Sequence, residues 1–284
     1  MNFKKGDRVK YSQKPEWGLG QVLEDSFDNK VRIQFTEAGR KVLSLKLASL
    51  QLVTGDEAKN FVLDNLKNPN AETATRYRGI EDLKKKFLTQ FADGFSGQHY
   101  QDDERTYKLE AHKVMREVLN REKFELYLAS EDYNEMCKRA LQIINKTNLI
   151  FPNERMSLAD GLKSPKNQKL FAESLYTLLF CEGELEKPFN DFAACLSELG
   201  AAKWTIATYF LFIYYPEKYI FLKPRFSQQA AEVCGIELNY RTNLNWTTYQ
   251  CFLDFAYFLK QQLSDLYPKD MIDVQSFIWC IAQD

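Results

Sequence analysis

The sequence has almost no net charge, little histidine and no long apolar run. Its 284 residues include 38 Lys and Arg against 39 Asp and Glu, so the formal net charge is -1. A chain balanced in this way does not bind nucleic acid through bulk charge, and any such binding needs a local patch. With 45% apolar residues, 12 Gly and 8 Pro, the chain is not disordered, collagen-like or of low complexity.

Membrane-spanning and secretory signals are also missing. The longest apolar run is the 12 residues from Trp204 to Tyr215, and a membrane-spanning helix needs roughly 20. The first residues turn polar by Lys4, so no signal peptide is predicted. The six cysteines form no Cys-x-x-Cys pair and lie mostly in apolar helical patterns. These features indicate buried free thiols in a cytoplasmic protein.

The residue sets that support metal binding and catalysis are sparse. His99 and His112 are the two histidines, and neither is close to a cysteine in the sequence. Nothing in the sequence ties a Ser or Cys nucleophile to either histidine. No Gly-x-x-x-x-Gly-Lys-Ser/Thr phosphate-binding loop is present. We therefore expect no metal site, no cofactor and no catalytic residues.

The charges that are present divide the chain into two parts. Residues 1–53 contain ten Lys and Arg against six Asp and Glu, a net charge of +4. The rest of the chain contains 28 against 33, a net charge of -5. The near-zero total therefore combines a basic N-terminal segment with an acidic remainder.

Residues 1–53 predict a small, strongly bent β-barrel. They contain five short segments of strand character with turn residues between them, a pattern typical of small barrels. Gly18 and Gly20 interrupt the second segment and indicate a bulge or a tight bend there. The five segments are Gly6–Tyr11, Trp17–Leu23, Val31–Phe35, Lys41–Leu45 and Leu50–Val53.

The order of these segments carries a family resemblance. Gly6-Asp7-Arg8-Val9, Trp17-Gly18-Leu19-Gly20-Gln21-Val22 and Ala38-Gly39-Arg40-Lys41-Val42-Leu43 resemble the Tudor/SH3-like barrel at the C-terminus of UvrD/PcrA-type helicases. The resemblance covers residues 4–53. In those helicases the barrel is an adaptor that contacts RNA polymerase and sometimes nucleic acid. Since the motor is missing, the resemblance implies an adaptor without ATPase activity.

The predicted barrel offers one aromatic side chain and several cations for binding. Trp17, flanked by Lys14 and Arg40, either lies on a binding rim or covers the open end of the core. The cations form either a phosphate-facing stripe, which Lys4 and Lys5 extend, or an ordinary solvated face. The predicted binding residues of the barrel are Arg8, Lys10, Lys14, Trp17, Arg32, Arg40 and Lys41.

Beyond the barrel, the pattern predicts helices. Thr54 and Glu57 match a capping box that opens a helix through about Leu66, and Asn68-Pro69-Asn70 ends it. Helical periodicity recurs from Arg76 to Ala282 around a large aromatic core. The predicted fold is a small all-β barrel over 1–53, a linker helix over 54–75 and a large all-α domain over 76–284.

A helical pair in this domain carries a second resemblance. An amphipathic helix ends at Leu199-Gly200-Ala201-Ala202-Lys203, and an apolar helix follows from Trp204. The order of elements over residues 186–235 resembles the helix-hairpin-helix of DNA glycosylases, whose hairpin binds a DNA phosphate. Ala202 replaces the second hairpin glycine, and Lys223-Pro224-Arg225 stands where the catalytic Asp is expected. The resemblance implies DNA contact through Lys203, Lys223 and Arg225 without base excision; the alternative is an ordinary buried hairpin.

Two classes of function follow from these patterns. The first is a cytoplasmic adaptor that binds nucleic acid, DNA before RNA, or a protein of the transcription or repair machinery such as RNA polymerase. Its helical body serves as a scaffold or a second interface. The alternative is a nucleic-acid-modifying enzyme with a glycosylase-like fold. A cleft beside Trp204 favours the enzyme, and a tightly packed Trp204 counts against it.

The last predicted helix leaves one smaller question open. Asp270 and Asp273 are interpreted as its cap and first turn. The alternative is a polar pocket in which Asp273 is joined by Gln275, Ser276 and Trp279.

Overall fold

The computed structural model describes residues 3–66 and 78–283. The described residues form two compact units. The first contains the residues up to Gln90, with 228–238 and 280–283, and the second contains residues 91–227 and 239–279. An N-terminal antiparallel sheet is followed by helices, which confirms the predicted fold class. The predicted boundaries at 53 and 75 stay a prediction.

A five-stranded antiparallel sheet forms the β domain, residues 3–53. Its strand order is β4-β3-β2-β1-β5, so four strands form a meander and β5 returns to pair with β1. Alternate residues of β1 and β3 are buried, among them Val9, Val31 and Ile33, and they form a core with Phe35. The strands are β1 (Arg8–Tyr11), β2 (Leu19–Val22), β3 (Lys30–Phe35), β4 (Gly39–Ser44) and β5 (Leu50–Val53).

Turn residues and glycines set the bends of this sheet. Asp28 and Asn29 both have positive φ, at 49° and 54°, as the turn type that matches strand twist requires. Gly20 lies in β2, where a Cβ atom would come within 2.6 Å of Ile33 and 2.8 Å of Phe35. Gly20 was predicted to mark a bulge or a tight bend, but it pairs in regular register with Val9 and Phe35 and instead allows a close approach of the backbone to the core.

The segment after β5 differs from the predicted helix. Thr54 makes no capping hydrogen bond with its side chain, and a short 3₁₀ turn covers Gly55–Ala58. The next helix, α1, spans Phe61–Asp64 and is capped by Asn60, which accepts hydrogen bonds from the N–H groups of Val62 and Leu63. The prediction of a helix capped by Thr54 was therefore wrong, because Asn60 provides the cap. The predicted end at residues 68–70 and the predicted start at Arg76 lie outside the described residues.

Helices make up the rest of the described chain. Helix α10 (Trp204–Tyr214) is buried on every side, and Phe210 within it packs its ring against Phe171 and Phe192, so the predicted aromatic core is present. A helix that is apolar all round belongs in a core. After α2 (Ile80–Gln90) come α3 (Gln98–Tyr100), a π-helical segment (Gln101–Arg105), α4 (Thr106–Val118), α5 (Arg121–Ala129), α6 (Tyr133–Ile144), α7 (Pro152–Gly161), α8 (Pro165–Phe180), α9 (Glu186–Glu198), α10 (Trp204–Tyr214), α11 (Pro224–Val233), α12 (Trp246–Gln262) and α13 (Met271–Ala282).

The described helices do not fit a membrane span. Within residues 3–66 and 78–283, none combines the length and the apolar character that a bilayer span requires.

Candidate binding surfaces

Arg8 is held inside the first unit by a carboxylate. Its guanidinium donates to Asp64 on α1 at 2.6 Å and to the carbonyl of Gly6 at 3.0 Å. The side chain is 13% exposed, and its Nε is buried without a hydrogen-bond partner among the described residues. Arg8 therefore fastens α1 to β1, and its charge is compensated where it lies.

Three exposed cations of the β domain also have carboxylate partners. Ion pairs between exposed side chains contribute little to stability, but they cancel much of the local field. Three predicted binding residues make such pairs: Lys10 with Glu57 at 3.2 Å, Lys14 with Glu16 at 3.4 Å, and Arg32 with Glu24 at 3.5 Å.

The remaining cations of the predicted stripe lie on different faces of the sheet. Arg40 is paired in register with Gln34, whereas Lys41 is paired with Ile33 of the core. Residues directly opposite each other on neighbouring strands share a face. Arg40 and Arg32 therefore lie on the face opposite the core, and Lys41 lies on the core side.

Trp17 covers part of the core at the end of a 3₁₀ turn, Pro15–Trp17. Its ring lies 5.3 Å from the ring of Phe35 and 5.3 Å from that of Tyr11. The ammonium of Lys41 lies 5.5 Å from the Trp17 ring centroid, a cation–π geometry. Trp17 is half-buried, so it packs on the core and leaves one part of its ring accessible.

The β domain also exposes large apolar side chains. Phe27 is 85% exposed beside the Asp28–Asn29 turn, Leu47 is 79% exposed and Val42 is 61% exposed. Phe27 bridges to Lys30, which is paired with Ser44, and the carbonyl of Ser44 accepts from Leu47. Phe27 and Leu47 thus lie at one end of the β3–β4 pair, and Val42 lies within β4. We call these three side chains the β4 patch.

In the second unit, the predicted hairpin is present as two helices joined by a turn. The N–H of Ala201 donates to the carbonyl of Leu196 at 2.8 Å, and Gly200 has a φ of +69°, as helix C-termini favour. Lys203 is exposed in this turn, directly before α10. The turn therefore ends α9 in a common way and presents Lys203 to solvent.

Trp204 is packed into the core. It is 3% exposed, its ring is stacked on Phe189, and its Nε1 donates to the carbonyl of Arg241 at 3.0 Å. The enzyme alternative requires a cleft beside Trp204, but packed side chains fill the space around this residue.

Lys223 and Arg225 lie on either side of Pro224, the first residue of α11. The Lys223 ammonium lies 4.5 Å from the ring centroid of Phe151, and 5.5 Å from those of Phe226 and Trp279. Burial lowers the pKa of Lys223, and this effect outweighs the opposite effect of the Glu154 charge. Arg225 is exposed.

A buried ionic cluster lies where the π-helical segment meets α13. Arg105 donates to both carboxylate oxygens of Asp270, at 2.9 and 2.6 Å, and to Asp273 at 2.6 Å. The hydroxyl of Tyr100 donates to the same oxygen of Asp273. Burial acts to lower the pKa of Arg105, and the two carboxylates outweigh it, so the pKa is raised. Asp270 and Asp273 are thus partners of a buried guanidinium as well as residues at the start of α13.

Lys108 forms the second part of this cluster. Its ammonium is fully buried and donates to Glu104 at 2.8 Å, Gln275 at 2.8 Å and Ser276 at 3.0 Å. Of the residues predicted to line a pocket, Gln275 and Ser276 are therefore hydrogen-bonded to Lys108, and Asp273 is bonded to Arg105 and Tyr100. Sequence patterns missed Arg105 and Lys108, although π-helical turns such as 101–105 are often found at functional sites.

The cysteines are not arranged for nucleophilic chemistry. All six are free, as predicted, and four are buried. Burial raises the pKa of Cys137 to about 12 and that of Cys195 to about 11, which opposes formation of the reactive thiolate. In the parts of the chain that the structure describes, no three His, Cys, Asp or Glu side chains form a group that could hold a metal ion.

Comparison with known proteins gives a match over the β domain only. Residues 3–53 match a family described as a protein of unknown function (DUF3553). No curated protein and no solved structure matches the chain. The likeness to the helicase barrel therefore stays a prediction from the sequence.

Proposed function

We propose that the chain is an adaptor whose β domain binds a protein of the nucleic-acid-processing machinery through the β4 patch. The observation that carries this proposal is the exposure of Phe27, Val42 and Leu47, between 61% and 85%. Isolated apolar side chains are common on surfaces, but a group of them in one region is typical of an interaction site. The patch lies on and beside β4, which is an edge strand of the sheet.

A protein partner fits this surface better than a nucleic acid. Arg8, Lys10, Lys14 and Arg32 are each paired with a carboxylate, so they offer little uncompensated charge to phosphates. An edge strand can pair with a strand from another protein, and flanking apolar side chains add specificity to such a contact.

The class of partner follows from the resemblance of residues 4–53. A Tudor/SH3-like barrel of this pattern serves in UvrD/PcrA-type helicases as a contact for RNA polymerase. The β domain would act here in the same way, and the helical unit, residues 91–227 and 239–279, would provide a scaffold or a second interface.

The test is a binding experiment with the full chain and purified bacterial RNA polymerase. The double variant Phe27→Ser/Leu47→Ser removes most of the β4 patch and leaves the core of the sheet intact. We expect it to lose at least about tenfold in affinity, since apolar anchors at an interface are each worth about 1–2 kcal/mol or more. Surface plasmon resonance on immobilised polymerase measures this change.

A matched control removes two exposed apolar side chains elsewhere. Leu126 is 65% and Tyr267 is 83% exposed, and the Leu126→Ser/Tyr267→Ser variant should bind like the wild type. The same assay is repeated after nuclease treatment. Loss of binding on nuclease treatment would favour nucleic acid as the ligand of the β domain, and equal loss in both double variants would refute a role for the β4 patch.

A further inference from the structure

One face of α6 forms a shallow, basic hollow in the helical unit. The hollow has a volume of about 580 Å³ and is lined by Lys138, Leu141, Gln142, Asn145 and Lys146. This spacing places the side chains on one side of the helix and the residues just after it. Both lysines are exposed, so the hollow presents two ammonium groups to solvent.

Arg155 connects this hollow to an exposed aromatic ring. Its guanidinium donates to Asn145 at 3.3 Å, which is an uncharged partner. One helical turn earlier, the carbonyl of Phe151 accepts from the N–H of Arg155 at 3.0 Å. Phe151 is 53% exposed at the start of α7, so one part of its surface is open for stacking.

Two more cations continue the surface from Phe151. The ammonium of Lys223 lies 4.5 Å from the centroid of its ring, and Arg225 follows two residues later. Glu154 lies near Lys223, and its carboxylate accepts a hydrogen bond from the N–H of Phe151 at 3.1 Å. That carboxylate is therefore engaged in capping α7.

The cations on this surface differ in their partners from Arg8, Lys10, Lys14 and Arg32 of the β domain, which are each paired with a carboxylate. Five cations lie along it: Lys138, Lys146, Arg155, Lys223 and Arg225. In residues 3–66 and 78–283, none of these five makes an ion pair with a carboxylate. We propose that the helical unit binds single-stranded nucleic acid along this surface, with the phosphates on the cations and a base stacked on Phe151. We call these five cations the basic track.

The combination of groups favours this ligand over an acidic protein. A row of uncompensated cations follows a phosphate backbone, and an accessible aromatic ring accepts any base because every base has a π face. An acidic peptide would satisfy the cations but would gain nothing from Phe151 stacking. The proposal goes beyond the adaptor function, because it places a second ligand on a different unit of the chain.

The experiment measures binding of fluorescein-labelled oligo(dT) and oligo(rU) to the full chain by fluorescence anisotropy at low salt. The triple variant Lys138→Gln/Lys146→Gln/Arg225→Gln removes three charges of the track. We expect a loss of at least about tenfold in affinity, because each phosphate contact contributes to the salt-dependent part of binding. Phe151→Ala should cost about fivefold or more through lost stacking, and since its ring is half-exposed the variant should fold normally.

A control triple variant removes the same charge at cations that have carboxylate partners. These are Lys163, Lys187 and Arg121, paired with Asp160, Asp191 and Glu125. The control should bind within about twofold of the wild type, since its cations are already compensated. Equal affinity for oligo(dT) and oligo(rU) would support recognition through the backbone and stacking alone.

Three results would overturn the proposal. The first is no binding of either oligonucleotide at low salt. The second is an equal loss in the track and control variants, which would reflect bulk charge. The third is binding of a poly-glutamate peptide that matches the oligonucleotides in affinity and is unaffected by Phe151→Ala. Failure of the polymerase experiment would leave this outcome unchanged, because the β4 patch is intact in every variant used here.

Discussion

The β domain and the helical unit both carry clusters of cations, but in different surroundings. In the β domain, Arg8 is bonded to Asp64 at 2.6 Å, and Lys10 lies 3.2 Å from Glu57. In the helical unit, Lys223 lies against aromatic rings and Arg155 bonds a neutral amide. Four cations of the segment with the net charge of +4, Arg8, Lys10, Lys14 and Arg32, are thus paired with carboxylates, whereas the cations of the basic track, which lie in the acidic remainder, have no such partner among the described residues.

This difference shows why a charge count by segment misjudges binding. The net charge of a segment determines its electric field at long range. A bound phosphate instead interacts mainly with the local field of the charges within about one Debye length, about 8 Å. Acidic residues far from the basic track contribute little to that local field. Pairing of each cation, which depends on the fold, decides which surface can attract an anion.

The largest loss in the free energy of unfolding is expected when a cation of the helical unit that is both paired and buried is replaced. Arg105→Met leaves Asp270 and Asp273 without their partner inside the protein. Breaking a buried ion pair from one side costs about 3–5 kcal/mol. Urea denaturation followed by circular dichroism should show a corresponding loss in the free energy of unfolding, with Lys163→Gln as the exposed, paired control. A loss no larger than that of the control would show that the cluster does not stabilise the fold.

A smaller loss in the free energy of unfolding is expected at Arg8, whose side chain, 13% exposed, is the least exposed cation of the β-domain pairs. Arg8→Gln removes a charged hydrogen bond to Asp64 and should cost about 1–3 kcal/mol. Lys10→Gln, at an exposed pair, should cost less than about 1 kcal/mol. Hydrogen exchange of the β1 and β5 amides measures both. If the two variants lose equal stability, the distinction between a structural Arg8 and a surface Lys10 is wrong.

The sequence predicted the elements that depend on local patterns. Alternating residues such as Val31 and Ile33 mark strands, and Asp132, a residue type that favours N-cap positions, caps the helix from Tyr133 by accepting from the N–H of Glu135. The prediction of a helix that begins at Thr54 was wrong because Thr54 and Asn60 are both residue types that favour N-cap positions, and they lie only a few positions apart. Propensity does not show that Asn60, and not Thr54, has the required geometry.

The candidate sites were harder to predict because they depend on contacts distant in sequence. Arg105 and Asp270 are separated by 165 positions, and no local pattern links them. Likewise, the basic track joins α6, α7 and the start of α11, and the sequence singled out only Lys223 and Arg225 of its members. Period-two patterns also do not show which face is the core, so Lys41 and Arg40 were predicted to lie on one stripe.

The salt dependence of oligo(dT) affinity tests the central claim most directly. It is compared between Lys138→Gln/Lys146→Gln/Arg225→Gln in the helical unit and Lys10→Gln/Lys14→Gln/Arg32→Gln in the β domain. Both variants lose the same charge. We expect the plot of log affinity against log salt to become shallower by about 2 in the first variant, at about 0.7 per phosphate contact, and to stay unchanged in the second. A shallower slope in the β-domain variant alone would contradict the account.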